Sequence, residues 1–137
     1  MSVFTGVELA FLTSQRLGRL GTVGRDGSPH VMPVGFRYDP ETDTIVIGGA
    51  GMGTSKKWRD MGRDPRVAFV VDDVVPGHGP RLVEVRGIAT RILAGGSALG
   101  RGFDEEWVRI APQRIVTYGL GDAGHDRRSF DARDIPA

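Results

Sequence analysis

The densest group of side chains able to do chemistry follows a glycine-rich passage in the middle of the chain. Thr54, Ser55, Lys56 and Lys57 place two hydroxyl groups and two ammonium groups in consecutive positions. Residues 54–66 hold five basic and two acidic residues, a local charge of +3 in a chain of net charge +1. Thr54 and Ser55 are good N-caps, so we expect a short helix to begin here. The free N–H groups at a helix start, with these side chains, would make a cradle for a phosphate group.

Two other interpretations of this segment stay open. An amphipathic surface helix with ordinary solvated lysines would give the same pattern. A nucleic-acid patch is the second alternative, but few aromatic residues are interleaved with the basic ones, and the near-neutral chain lacks a broad positive field. We therefore predict no nucleic-acid partner. Trp58, which follows directly, fits either packing against the core or contact with a bound ring.

Several common catalytic chemistries lack their residues here. The chain has no cysteine, which excludes a thiolate nucleophile, a disulfide framework and an iron–sulfur site. His30, His78 and His125 lie in separate segments, so we predict no metal cluster. We interpret His30 as a strand residue near a turn, and the other two histidines as solvated loop residues. A nucleophile elbow of the Gly-x-Ser-x-Gly type is also missing, which argues against hydrolysis.

The glycine passage over residues 48–53 fits neither of the common nucleotide-binding loops. Gly49, Gly51 and Gly53 alternate, whereas a dinucleotide-binding loop needs the spacing Gly-x-Gly-x-x-Gly. A P-loop needs a lysine at the position that Thr54 occupies. The long strand–helix–strand units of both folds are missing as well, so we reject both.

Hydrophobic patterning predicts a mainly β chain with short helices. Strand follows strand directly, which favours an antiparallel sheet, and so many strands in 137 residues favour a barrel. Thr5 and Glu8 have capping-box spacing and mark the start of the first helix. The predicted helices cover residues 6–15 and 54–61, and the predicted strands cover 17–23, 30–38, 44–48, 66–71, 81–92, 107–110 and 114–118, the last two separated around Pro112.

The length suits one domain over residues 1–137, with a core over about 5–120 and a charged tail over 121–137. We expect the first part of this tail to be mobile. No apolar run approaches the ~20 residues that span a bilayer. The N-terminal residues carry Glu8 and no positively charged region of the signal-peptide type. We expect a soluble, cytoplasmic protein without a membrane partner.

Short segments in a fixed order resemble the split-barrel flavin-binding proteins related to pyridoxamine 5′-phosphate oxidase. Residues 11–49 and 114–119 are similar to the actinobacterial branch that uses the deazaflavin coenzyme F420, in particular to a subgroup that includes a tetracycline-pathway reductase. The resemblance covers about residues 5–120. The segments that carry it are Pro33-Val34-Gly35-Phe36, Thr54-Ser55-Lys56-Lys57, Arg63-Asp64-Pro65-Arg66-Val67 and Val85-Arg86-Gly87.

The resemblance implies a six-stranded antiparallel split β-barrel that forms a homodimer with two cofactor sites in the dimer cleft. The segment Ser55-Lys56-Lys57 matches the part of the family that grips the cofactor phosphate, with Lys56 where an arginine is common. A lysine pairs with phosphate as a point charge, without the bidentate fork. The strand with Met32, Pro33 and Val34 matches the family segment that passes beside the flavin ring. Gly48 and Gly49 match positions where the backbone approaches the ring or its ribityl chain. The candidate cofactor-binding residues are therefore Met32, Pro33, Val34, Gly48, Gly49, Thr54, Ser55, Lys56, Lys57 and Trp58, and no catalytic side chain is assigned.

The implied function is an oxidoreductase that binds coenzyme F420 and passes a hydride to an unsaturated organic small molecule. The cofactor performs such chemistry, so the lack of a plausible catalytic triad is no obstacle. One alternative is an FMN-binding oxidoreductase of the same family, and another is a non-catalytic carrier of a flavin or haem type of ligand. In the oxidase proper an arginine stands at the position of Met32 and a glutamine near that of Leu82, which argues against oxidation of pyridoxamine phosphate itself.

Overall fold

The computed structural model describes residues 1–121 and 129–137. The first helix begins at Gly6, as the sequence predicts, and the second begins at Lys56, two residues after its predicted start. Thr5 Oγ1 accepts a hydrogen bond from Glu8 N at 3.2 Å, and Glu8 Oε1 accepts one from Thr5 N at 2.9 Å, which completes the capping box. The elements are α1 (Gly6–Thr13), β1 (Leu17–Val23), β2 (Pro29–Gly35), β3 (Arg37–Asp39), β4 (Thr44–Ile47), α2 (Lys56–Arg63), β5 (Arg66–Val75), β6 (Gly79–Ile92), β7 (Trp107–Tyr118) and β8 (Phe130–Asp134), with 3₁₀ turns at Met52–Thr54 and Gly96–Ala98.

All strands belong to one antiparallel sheet whose two ends are joined by the chain. The strand order is β2-β1-β5-β6-β7-β4-β3, with β8 paired to β7. β2 and β3 lie at opposite ends of this order, yet only Phe36 separates them along the chain. The sheet must therefore curl, which confirms the predicted split barrel. The described residues contain eight strands rather than six, because one bent segment counts as β2 and β3 and because β8 is added outside β7.

The core fills the inside of the curled sheet. Alternate residues of the central strands point inward, as the two-residue period of a strand requires. Phe69, Val83, Val85 and Ile110 are completely buried, and Met61 of α2 belongs to the same core cluster. The barrel is thus a packed core, and a ligand has to bind at its rim or outside it.

The sequence prediction of two short strands around Pro112 is wrong. β7 runs without interruption from Trp107 to Tyr118. Its pairing with β6 shifts in register between Arg86 and Gly87 of β6, and this bulge takes the place of the predicted break. Pro112 lies opposite Gly87, where a side chain would collide with the carbonyl oxygen of Ala111. A proline that donates no hydrogen bond is tolerated at such a bulge.

The end of the chain contains a strand that the sequence patterning did not reveal. Arg133 of β8 donates to the buried carboxylate of Glu8 at 2.6 and 2.8 Å and to the carbonyl oxygen of Val3 at 2.7 Å. Arg133 therefore fastens this strand to the start of α1. The expected mobility of the first part of the tail and the interpretation of His125 lie outside the described residues.

Both α-helices have eight residues. Within residues 1–121 and 129–137, no helix combines the length and the apolar character that crossing a bilayer requires. The same residues contain no group of three or more side chains placed to hold a metal ion.

Candidate functional site

The start of α2 exposes backbone N–H groups beside positive side chains. Ser55 is the N-cap: its Oγ accepts from Trp58 N at 3.2 Å and donates to Met52 O at 2.7 Å. The N–H groups of Lys56 and Lys57, in the first turn, have no acceptor among the described residues. Thr54 is exposed, and its carbonyl oxygen accepts a hydrogen bond from the guanidinium of Arg59 at 2.8 Å. These N–H groups are therefore free donors within the described part of the chain, and the binding of a phosphate group to them stays a prediction.

The two lysines at this helix start have different surroundings. Lys56 Nζ lies 2.8 Å from Asp60 Oδ2, one helical turn further on. Lys57 is half-buried and forms no hydrogen bond or ion pair with any described residue. The positive charge of Lys57 is consequently available to a ligand, whereas that of Lys56 is already shared with a carboxylate.

Asp60 is the buried centre of this region, although the sequence analysis gave it no role. Its side chain is 0 % exposed and accepts hydrogen bonds from Lys56, from Thr22 Oγ1 at 2.9 Å and from Arg63 at 2.7 Å. Burial alone would raise the pKa of Asp60, but the three hydrogen bonds outweigh it and lower this pKa to about 2. Because Thr22 belongs to β1, Asp60 ties α2 to the sheet. The spacing from Lys56 to Asp60 and on to Arg63 is the sequence signal that could have indicated it.

Basic side chains from the β1–β2 turn and from α2 surround an open groove of ≈ 520 Å³. Arg25 comes from the turn, and its approach to the helix could not be read from sequence spacing. The groove is lined by Arg25, Asp26, Lys56, Arg59, Asp60 and Arg63. Its cations outnumber its carboxylates, so it favours negatively charged groups.

β2 carries the residues predicted to lie beside a flavin ring, and it runs past the Asp60 region. Thr22 pairs with His30 in the β1–β2 ladder, and His30 Nδ1 lies 4.0 Å from Asp60 Oδ2. Met32 follows two residues later on the same face and is 44 % exposed. Val34, two residues further, is buried in the core, while Pro33 is exposed on the opposite face. Met32 is thus the member of this trio whose side chain is accessible on the α2 side.

The glycine-rich passage is held by a residue from a distant loop. Asp104 Oδ1 and Oδ2 accept hydrogen bonds from Gly51 N and Gly53 N, both at 3.1 Å, and Asp104 N donates to Gly49 O at 3.0 Å. A side chain at Gly49 would start in open space, whereas one at Gly48 would meet Phe103 at 3.1 Å. Gly49 therefore leaves its backbone open to a ligand, and Gly48 packs against the chain itself.

Trp58 takes the packing alternative that the sequence left open. Its side chain belongs to the hydrophobic core and is 7 % exposed, and the guanidinium of Arg91 lies 4.9 Å from its ring centroid. Contact of Trp58 with a cofactor stays a prediction, as does cofactor contact for the other candidate residues.

Comparison with known proteins assigns the family. The family described as pyridoxamine 5′-phosphate oxidase matches residues 5–123. The chain belongs to this family. The resemblance seen in the sequence segments is thereby confirmed, and it extends over most of the chain.

Two named relatives are reductases. The chain is 44 % identical over 137 residues to the 5a,11a-dehydrotetracycline/5a,11a-dehydrooxytetracycline reductase of Streptomyces rimosus, covering 98 % of this chain and 94 % of that protein. It is 47 % identical over 45 residues to an F420H(2)-dependent biliverdin reductase of Mycobacterium tuberculosis, covering 31 % of this chain and 33 % of that protein. The predicted enzyme class is confirmed: the chain is an oxidoreductase.

The fold has solved counterparts. A conserved hypothetical protein of Mycobacterium tuberculosis superposes with a TM-score of 0.71 at 22 % identity, covering 93 % of this chain and 92 % of that one. At this identity the likeness shows the fold alone.

Proposed function

We propose that this oxidoreductase binds the deazaflavin coenzyme F420 in the cleft of a homodimer and transfers a hydride to an unsaturated organic small molecule. The observation that carries the proposal is the unpaired ammonium group of Lys57 beside free backbone N–H groups at the start of α2. The relative with dependence on F420H(2) in its name supports the choice of a deazaflavin.

The start of α2 suits a cofactor phosphate. A phosphate group gains from N–H donors that have no other acceptor, from the positive end of the helix dipole and from a nearby ammonium group. Lys57 and the N–H groups of the first turn supply these interactions, and the hydroxyl of Thr54 is exposed beside them. The groove next to them adds positive charge from Arg25 and Arg59. This arrangement favours a ligand with more than one anionic group.

The ring of the cofactor would lie along β2 and the glycine passage. Met32 offers an accessible apolar side chain, and Gly49 offers backbone without a side chain in the way. Hydride transfer uses the bound cofactor for the chemical step, so the residues around it need only bind, orient and exclude water. The lack of a cysteine and of a nucleophile elbow in the sequence is consistent with such a site.

We also assign β2 to the interface between the two subunits of the homodimer. This strand is an edge strand of the sheet order, and Leu17, Val31 and Met32 on the β1–β2 hairpin are 53 %, 63 % and 44 % exposed. Exposed apolar side chains on an unpaired edge favour association with another chain. A second copy on this hairpin would close a cleft beside the predicted ring position. Light scattering at several protein concentrations tests this: a constant dimer mass supports the homodimer, and a monomer contradicts it.

Titration with two cofactors tests the redox function. We expect the purified protein to bind F420 and to oxidise reduced F420 when an unsaturated acceptor is supplied. Tight binding of FMN together with no binding of F420 would support the FMN-dependent alternative instead. Binding of F420 without turnover, across a panel of conjugated ketones and quinones, would support a carrier.

A further inference from the structure

A second cleft lies between the β2–β3 bend, the end of β4 and the loop after the second 3₁₀ turn. Its volume is ≈ 240 Å³. Gly48, a candidate cofactor residue, forms part of its wall, and Gly35 continues the candidate segment that ends at Val34. The cleft therefore adjoins two stretches assigned to the ring of the cofactor. Its lining is Gln15, Arg16, Gly35, Phe36, Arg37, Val46, Gly48, Leu99 and Phe103.

We propose that this cleft binds the hydride acceptor, and that the acceptor is a planar, unsaturated molecule carrying a carboxylate or an enolic oxygen. The inference rests on the proposed function, because it gives the oxidoreductase its substrate class. The side chains of the cleft carry the argument, through their charge and through their shape.

The charge of the cleft selects an anion. Arg16 is exposed and has no hydrogen-bond or ion-pair partner among the described residues. Arg37 makes one hydrogen bond, to the carbonyl oxygen of Leu99 at 2.6 Å, which leaves other guanidinium N–H groups free. The lining contains no acidic residue. Two guanidinium groups without a carboxylate between them are matched by an oxygen anion on the ligand.

The shape of the cleft selects a flat, apolar body. The ring of Phe36 is fixed by edge-to-face packing on Phe69, with ring centroids 5.1 Å apart. Phe103 is fixed against Gly48, where even a methyl group would come within 3.1 Å of its ring. Leu99 completes an apolar wall of half-buried side chains. Because the cleft is smaller than a typical drug-sized pocket and two of its lining side chains are phenyl rings, it suits a small ring system that packs against them.

The two arginines of the cleft also suit the change in charge that the acceptor undergoes during reduction. When a hydride from the reduced cofactor adds to the β-carbon of an unsaturated carbonyl compound, a C–H bond of the cofactor breaks, the cofactor is oxidised by two electrons, and a C–H bond forms at the β-carbon. The C=C π electrons shift to the bond between the α-carbon and the carbonyl carbon, and the carbonyl π pair moves to the oxygen, which gives an enolate. A guanidinium group beside that oxygen stabilises the developing charge. A solvent proton then adds to the α-carbon. Arg16 and Arg37 are the groups of the cleft able to provide this stabilisation.

Calorimetric titration of the full chain with 2-naphthoate and with neutral 2-naphthamide tests the inference without turnover. We expect naphthoate to bind more tightly than naphthamide. Arg16→Gln and Arg37→Gln should each weaken naphthoate binding by about tenfold, the loss of one charge-assisted contact, and should leave naphthamide binding unchanged. Arg86→Gln, which removes the same charge outside both the cleft and the groove beside α2, should leave naphthoate binding unchanged.

Equal binding of the acid and the amide would overturn the inference, and so would an equal effect of Arg86→Gln and Arg16→Gln. Titration of the same variants with F420 separates the two proposals. Normal coenzyme binding without charge-dependent naphthoate binding refutes the acceptor cleft alone. Charge-dependent naphthoate binding without coenzyme binding refutes the redox function and retains the acid-binding cleft.

Discussion

The basic residues around α2 and those at the acceptor cleft carry the same charge but differ in the groups they contact. Lys56 and Arg63 converge on the buried carboxylate of Asp60, so their charges hold the helix to the sheet. Arg16 and Arg37 have no carboxylate partner among the described residues, so their charges face a possible ligand. The number of basic residues in a segment therefore says little about its function, and the position of the nearest buried acid decides which of them can bind a ligand.

The largest expected effect is on stability, at Asp60. Asp60→Ala should lower the free energy of unfolding by about 3 kcal/mol, because it leaves a buried hydroxyl of Thr22 and two cations without their acceptor. Urea denaturation measures this change. The matched control is Asp64→Ala, since hydrogen bonds from Arg66 also lower the pKa of Asp64 to about 2, but this ion pair is exposed. We expect a much smaller effect there. Equal losses in the two variants would contradict the structural role of Asp60.

The stability of the protein should also fall in acid because of Asp60. The pKa of this carboxyl group is about 2 in the folded protein and close to 3.9 in an unfolded chain. The ionised form therefore stabilises the fold fully above pH ~5, and about 2–3 kcal/mol is lost as the pH falls from there to below 2. In Asp60→Asn the stability should change less over this interval. Parallel acid-unfolding curves for the two proteins would contradict the assignment.

A smaller effect is expected at Asp104, which orders the glycine passage. Asp104→Ala removes the acceptor of two backbone N–H groups and should cost about 1 kcal/mol. Hydrogen exchange at Gly51 and Gly53 should accelerate by about fivefold, which corresponds to that free energy. Asp104→Asn retains one acceptor oxygen and is the control. Unchanged exchange in the alanine variant would show that the loop is ordered by other contacts.

Local features of the fold could be predicted from the sequence, and partners across the barrel could not. The capping box of Thr5 and the N-cap at Ser55 depend on residues three positions apart, and both were predicted. The contact of Asp60 with Thr22 joins residues 38 positions apart, and that of Asp104 with Gly51 joins residues 53 apart. These pairs are fixed by strand register and barrel curvature, which composition and periodicity do not encode. The continuous β7 was missed because a proline opposite a glycine bulge has the same local pattern as a strand end.

The central claim is that Lys57 anchors the anionic end of a cofactor while Lys56 serves the fold. The most direct test is the dissociation constant for F420 in Lys57→Ala and in Lys56→Ala, each measured beside the wild type. We predict that Lys57→Ala weakens binding by about 1.5–3 kcal/mol, the value of a charge-assisted contact, with the stability unchanged. Lys56→Ala should weaken binding less and lower the stability, because its ammonium group is bonded to Asp60. An unchanged dissociation constant in Lys57→Ala would contradict the account.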